Sequence, residues 1–462
     1  MRKLIGALAA VLILAAAGGG GLLWWYVARE VRTNPQDAVT LFKYGSIGAE
    51  GTSLPTAIWK ALPAVCPDLL PGGYASLGFV TEPGAPRPIG ITERTVGVPR
   101  AAFNCATCHV GTVRESASAA PRIILGMPAQ QLDVQRYSRF VMACVTSDAF
   151  TADRVMPIIQ AQSALSWLDR LMYRYVLVPG TRREAGKLRA RFAWFDARPD
   201  FGPGRFDDFN PYKPDMSHDA SIGTADLPAI WHQAARKGHV RHWDGNAGTL
   251  RESSLNSALG AGATPGSLDL PALEAVEAFL LSLESPPYPF AVDQVAAAAG
   301  ATLFASRCAS CHAPESAAAG RVTPAAEVGT DRHRLEAFTP QVAAITNAQG
   351  EGYPWRFDGY HVSNGYANVL LDGVWARAPY LHNGSVPTLR DLLEPVERRP
   401  AVFYRGGDVY DQQRGGFVSD PAAAGRFRYD TALPGNGRDG HLYGIDLTPG
   451  EKDALVEYLK TR

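Results

Sequence analysis

The amino-acid sequence predicts a mainly α chain with extensive loops, in which two tandem domains lie behind an N-terminal membrane anchor. Three observations carry that expectation. The pentad Cys-x-x-Cys-His occurs twice, at Cys105–His109 and at Cys308–His312. A segment of helical periodicity stands where each domain would close, over 270–283 and again after Thr448. An uncharged stretch runs from Leu4 to Ala28, with Arg2 and Lys3 before it and Arg29 after it. Composition sets the bounds: 462 residues suffice for about two or three domains, and a hydrophobic content of 46% supports a packed core. Forty-five basic residues balance forty-five acidic ones with no long run of either sign, so nucleic acid is not expected as a partner.

Taken in order, residues 1–30 read as a signal anchor. A helix over Leu4–Ala28 could cross a bilayer at about 1.5 Å per residue, and Trp24, Trp25 and Tyr26 suit an interfacial aromatic belt. The alternative is a signal peptide cleaved after Ala15-Ala16-Ala17, which would leave a strongly apolar new end. An anchored chain would sit on the periplasmic side of the bacterial inner membrane, and a cleaved one would be periplasmic or secreted. Residues 35–100, dense in Pro and Gly, read as an irregular N-terminal extension. The first domain is expected over 101–285. It holds helices near 130–145 and 152–176, a stretch over 195–265 low in helical pattern, and a closing helix over Leu270–Leu283 with Pro271 in its first turn. Ser285-Pro-Pro-Tyr-Pro289 then breaks the chain. The second domain, 291–462, opens with an alanine-rich helix over Val295–Ser306 that runs into Cys308. It closes with a helix begun by the capping box Thr448-Pro-Gly-Glu451, whose apolar stripe is Ala454, Leu455, Tyr458 and Leu459.

The repeated pentad is where the chemistry lies. Two thiols three residues apart on a helical turn can take up the two vinyl groups of one porphyrin, and the next histidine sets its imidazole beneath the iron. Cys105, Cys108, Cys308 and Cys311 are therefore expected to hold two haem c groups covalently, with His109 and His312 as axial ligands of the iron. Both domains are then cytochrome c-type haem domains. A zinc knuckle or a redox Cys-x-x-Cys is the plain alternative for a single copy, but zinc would need further cysteine partners. The remaining pair, Cys66 and Cys144, could form a disulfide or stay as buried thiols. An iron with two protein ligands mainly moves electrons, whereas one with an open face can bind peroxide or dioxygen, so the sixth ligand decides function. Met127 is a candidate for the first haem, and His218, His232, His239, His242, His333, His361, His382 and His441 are the other histidines available.

Ala378-Pro-Tyr-Leu-His-Asn-Gly-Ser385, followed by Val-Pro-Thr-Leu-Arg-Asp-Leu-Leu, resembles a signature of the bacterial di-haem cytochrome c peroxidase superfamily. Gly204-Arg-Phe-Asp-Asp-Phe-Asn-Pro-Tyr-Lys213, His242-Trp-Asp-Gly-Asn246 and Gly440-His-Leu-Tyr-Gly444 are similar to its rubber-oxygenase-like branch. The resemblance runs from about residue 95 to the C-terminus. It implies a second haem held by His312 and, near the chain end, His441, with His382 as the competing ligand. It implies that the first haem faces substrate, with His109 its only firm ligand and Phe209, Trp231, His232, Trp243 and Asp244 as candidates for the distal pocket. No residue matches the glutamate that typical peroxidases use there for proton transfer.

The leading expectation is a redox enzyme. Electrons would pass between a bis-histidine haem and an open haem that takes peroxide or dioxygen, and a small redox protein or a quinol-chain donor would serve as electron partner. A membrane-anchored electron carrier without catalysis, and an oxygenase acting on an apolar substrate, are the alternatives.

Overall fold

A β-hairpin, rather than a helix, delivers the first Cys-x-x-Cys-His pentad. In a computed structural model that describes residues 20, 21, 24–26, 28–213, 219–420 and 426–462, strands Ile91–Val96 and Val98–Phe103 pair antiparallel with Ile91 opposite Phe103. Ile, Thr and Val suit such a pleated, half-buried ribbon, and Gly97 turns it at a φ of 71° that glycine reaches without strain. Asn104 ends the hairpin and caps the turn Cys105–Cys108, its side chain accepting from the Ala106 N–H at 3.0 Å. The same side chain donates to the carbonyls of Phe42 and Gly45, both at 3.0 Å. These bonds join the motif to the helix Ala38–Tyr44, which packs on the helix Leu270–Ser282 through Phe42 and Phe279.

The expectation of a mainly α fold is corrected here. Among the described residues helix accounts for 40% and strand for 13%, so the architecture is mixed. Among the described residues fourteen strands form six sheets, the largest four-stranded. Each strand spans two to six residues, too few to leave a readable period amid so much Pro and Gly. Residues 35–100 contribute the helices Ala38–Tyr44 and Thr56–Val65 as well as the first hairpin strand.

The membrane anchor is corrected as well. Among the described residues no helix is long and apolar enough to cross a membrane, so the anchor and the single-pass placement that rested on it are not supported. Most of Leu4–Ala28 lies outside the described residues, but its end is built into the protein body. Tyr26 is 3% exposed and donates its hydroxyl to the Asp169 carboxylate at 2.5 Å. Glu30–Val31 then joins the edge of the four-stranded sheet against Thr95 and Val96.

The second half follows the helical plan. Helix Gln294–Arg307 leads into Cys308, and the Ala309–His312 turn follows. Helix Pro449–Lys460, opened by the Thr448/Glu451 capping box, crosses the first so closely that a Cβ on Gly300 would sit 2.1 Å from the Ala454 carbonyl. Helix Val134–Thr146 occurs where helical pattern placed it, the helix expected over 152–176 breaks after Gln162 and resumes at Trp167–Met172, and Cys66 and Cys144 are joined as a disulfide. One core cluster, which includes Val113, Met127 and Trp231 of the first half with Phe304, Trp375 and Leu455 of the second, runs through both halves.

The doubling reaches beyond the pentads. Arg241 pairs with Ala247 across one tight loop, and Tyr380 pairs with Val386 across another of equal length. His242 and Leu381 hold the same left-handed position in these loops, with φ of 64° and 68°, and Gly245 and Gly384 match at 67° and 64°. Each loop is followed by Thr-Leu-Arg, and both threonines, Thr249 and Thr388, cap the next helix.

Candidate functional site

Each pentad histidine is aimed by a backbone carbonyl. His109 donates its Nδ1–H to the carbonyl of Pro228 at 2.9 Å, and His312 donates to that of Val369 at 2.7 Å. A carbonyl can only accept, so in both rings the proton is on Nδ1 and the lone pair on Nε2. Burial pushes the His109 imidazole down to about 4 and also lowers that of His312, which keeps both neutral near pH 7. A neutral imidazole with its far N–H bonded to a carbonyl is the usual state of a metal-ligating histidine.

The thiols carry the complementary signal. Burial pushes Cys105 up to about 11, Cys108 to about 12 and Cys308 to about 11. A redox Cys-x-x-Cys depends on a depressed thiol pKa, and these three thiols are shifted the other way. Among the described residues no set of three or more His, Cys, Asp or Glu side chains is gathered as a metal cage, which leaves a zinc knuckle without its further ligands.

His441 faces His312, with ring centres 6.3 Å apart. Two imidazoles sharing one iron need about 2 Å for each N–metal bond and about 1 Å from nitrogen to ring centre, roughly 6 Å in all. The pair therefore fits an iron between them. Burial, then the charges of His312 and Arg399, push His441 down to about 3, so it too is neutral near pH 7. Unlike the two pentad histidines, its buried Nδ1 has no hydrogen-bond partner. His382, the competing ligand, is occupied elsewhere. Its ring stacks on Tyr366 with centres 4.0 Å apart. The Tyr366 hydroxyl donates to the Asp331 carbonyl at 2.5 Å and so accepts from His382 Nε2–H at 3.0 Å.

The segments bearing the two acceptor carbonyls are tied to each other by two tryptophans. Trp231, three residues after Pro228, is fully buried and donates its indole N–H at 2.9 Å to the carbonyl of Asp372, three residues after Val369. Trp243 donates its indole N–H to the Asp226 carbonyl at 2.7 Å, and its own carbonyl accepts from the Ala367 N–H at 2.8 Å. Pro228 and Val369 are thus held in fixed register. Arg377 reinforces this with bonds to the Leu370 and Asp372 carbonyls.

The other expected residues lie as follows. Phe209 is buried, with its ring 4.7 Å from Phe338 and beneath the Arg334 guanidinium at 4.3 Å. Asp244 pairs with that guanidinium at 3.2 Å, and His232 lies 3.4 Å from the Asp372 carboxylate. Met127 is fully buried and packs in the shared core. His218 lies outside the described residues. Sequence reasoning missed Pro228 and Val369, because any residue can offer a carbonyl and no side-chain pattern marks the one that does.

Comparison with known proteins bears on this geometry. A family model described as RoxA-like, cytochrome c-like, matches residues 365–404, the stretch that carries Val369 and the second tight loop. An uncharacterized protein, y4iM, of Sinorhizobium fredii (strain NBRC 101917 / NGR234) is 33% identical over 299 residues, 55% of this chain and 67% of that protein. The chain belongs to the y4iM family. A second uncharacterized protein of the same strain, y4iJ, is 43% identical over 115 residues, 23% of this chain and 19% of its own length. The RoxA-like segment supports a c-type cytochrome's redox function, carried by haem c, for this y4iM-family chain. It supports the rubber-oxygenase-like branch and does not extend to the wider di-haem peroxidase superfamily.

Proposed function

We propose that this chain is a redox enzyme with a haem c at each pentad, in which the second haem relays electrons and the first binds the small oxidant. Cys105, Cys108 and His109 would hold the first group, and Cys308, Cys311, His312 and His441 the second. Bound there, the iron supplies reversible one-electron chemistry and, on a face without a protein ligand, a place for peroxide or dioxygen.

One observation carries the division of labour. His441 stands opposite His312 at 6.3 Å, while among the described residues no ring faces His109 in that way. His441 would exclude outside ligands from the second centre. The carbonyls of Pro228 and Val369 hold each proximal ring in one tautomer, and Trp231 and Trp243 keep those carbonyls in register. Phe209, Trp231 and Trp243 belong in this reading to the walls around the first centre. A small redox protein or quinol-chain donor would supply the electrons. The rubber-oxygenase-like resemblance of the 365–404 segment favours dioxygen and an apolar substrate as a second reading.

The test is spectroscopic. A pyridine haemochrome assay should find two haem c groups per chain. The ferric protein should show one high-spin centre that shifts on adding cyanide or peroxide, and one low-spin centre that does not. One haem per chain, or two low-spin centres indifferent to those ligands in both oxidation states, would overturn the proposal. His441→Ala should turn the low-spin centre high-spin.

A further inference from the structure

We infer that Arg399 is the positioning residue that keeps His441 in place as a ligand; this rests on the reading of His312 and His441 as the axial pair. Arg399 is 2% exposed and has no carboxylate within ion-pair distance among the described residues. Its guanidinium gives all five of its N–H groups to backbone carbonyls. Nε donates to Glu394 at 3.0 Å. Nη1 donates to Arg438 at 2.7 Å and Gly440 at 2.8 Å, and Nη2 to Leu392 and to His441 itself, both at 3.2 Å. A buried cation spent wholly on carbonyls fixes two chain segments against each other. One is the end of the Leu389–Leu392 helix, and the other is the loop that presents His441.

The loop needs such a clamp. His441 adopts a φ of 49°, a conformation that a side-chain-bearing residue keeps only where its surroundings over-determine it. On one side its N–H donates to the Val328 carbonyl at 2.7 Å, and on the other Arg399 holds its carbonyl. Gly440 crosses Gly329 and Thr330 so tightly that a Cβ would lie 2.3 Å from their backbone. His109 and His312 are aimed through their rings, by Nδ1–H bonds to carbonyls. His441 Nδ1 has no such carbonyl partner; its ring meets Tyr443 edge-on at 5.0 Å, and the backbone of the loop sets where it stands. The guanidinium therefore does for His441 what Val369 does for His312.

The experiment uses the haem-loaded full chain in three variants: His441→Ala, Arg399→Gln and Arg399→Lys. Lysine keeps the charge but offers three donors on a point ammonium and cannot span five carbonyls. Both Arg399 variants should show a high-spin fraction at the second centre and carbon monoxide association there faster by about tenfold or more. Added imidazole should restore the low-spin spectrum of the second centre in both; because it also binds the open first centre, that centre is recorded before the addition. The spectrum of the first centre, unchanged, reports that the fold is intact. An Arg399→Lys protein with an intact first centre and a fully low-spin, carbon monoxide-inert second centre overturns the inference, provided His441→Ala has changed that centre. If His441→Ala changes nothing, the axial assignment itself is wrong, and the inference goes with it. Should Arg399→Gln lose both centres together, Arg399→Lys decides alone.

Discussion

Replacing Trp231 by phenylalanine should cost the folded, haem-loaded protein about 2–3 kcal/mol, from two contributions. The indole N–H bond to Asp372 is worth about 1 kcal/mol net. The Asp372 carbonyl still receives Arg377, so no acceptor is orphaned and the larger desolvation penalty does not apply. The lost part of the ring leaves a void at a fully buried site against Gly126 and Gly373. Scaled from the 3–5 kcal/mol that removing a whole buried aromatic side chain costs, that void adds about 1–2 kcal/mol. Trp243→Phe is the internal control. Trp243 is half-buried, and its backbone tie to Ala367 survives the change, so only the bond to Asp226 is lost, about 1 kcal/mol. Urea unfolding followed by far-ultraviolet circular dichroism measures both. A Trp231→Phe cost below that of Trp243→Phe would refute the argument that the buried indole is the principal tie between the two acceptor segments.

Two further outcomes follow from the packing and the charges. Gly300→Ala gains about 1 kcal/mol of helix propensity but places a methyl 2.1 Å from the Ala454 carbonyl, an overpacking that costs about 1–3 kcal/mol, so the second half should lose up to about 2 kcal/mol net in the same urea assay; a stabilised variant would contradict the close crossing. His382 is held well below its ordinary pKa by burial first and then by Arg334 and Arg205. A group held neutral in the fold binds fewer protons there than in the unfolded chain. Stability is therefore intact above the unfolded value of about 6.5 and falls as the pH drops below it, by up to about 1.4 kcal/mol per pH unit. His382→Gln should lessen that slope between pH 6 and 5, roughly the first unit below the unfolded value, by up to about 1.4 kcal/mol per unit, leaving the share of the other buried histidines, and an unchanged slope would mean that His382 is not among the groups responsible.

Much of the site was legible because its chemistry is written in side chains. The pentads are sequence patterns with one dominant meaning, and the helices Leu270–Ser282 and Pro449–Lys460 announce themselves by a proline in the first turn and a capping box. His441 could be singled out only through resemblance, since nothing local separates it from a loop histidine. The rest is written in backbone atoms. Pro228 and Val369 act through carbonyls, and Arg399 through five of them, so their roles appear only once distant segments meet. The strands were hidden by shortness: Glu30–Val31 and Leu54–Pro55 are two residues each and owe their pairing to the hairpin beside them. The anchor expectation rested on apolarity alone, whereas Tyr26 at its described end is packed on Asp169.

The two indole ties have a kinetic consequence. Because Trp231 and Trp243 bind the segments behind both pentads to each other, the halves cannot separate or slide without breaking buried bonds. The spacing of the two pentads is then a constant of the fold. An electron crossing between them would tunnel through a fixed barrier, at a rate set by the difference in their potentials and the reorganisation around each, and viscosity should leave that step unchanged.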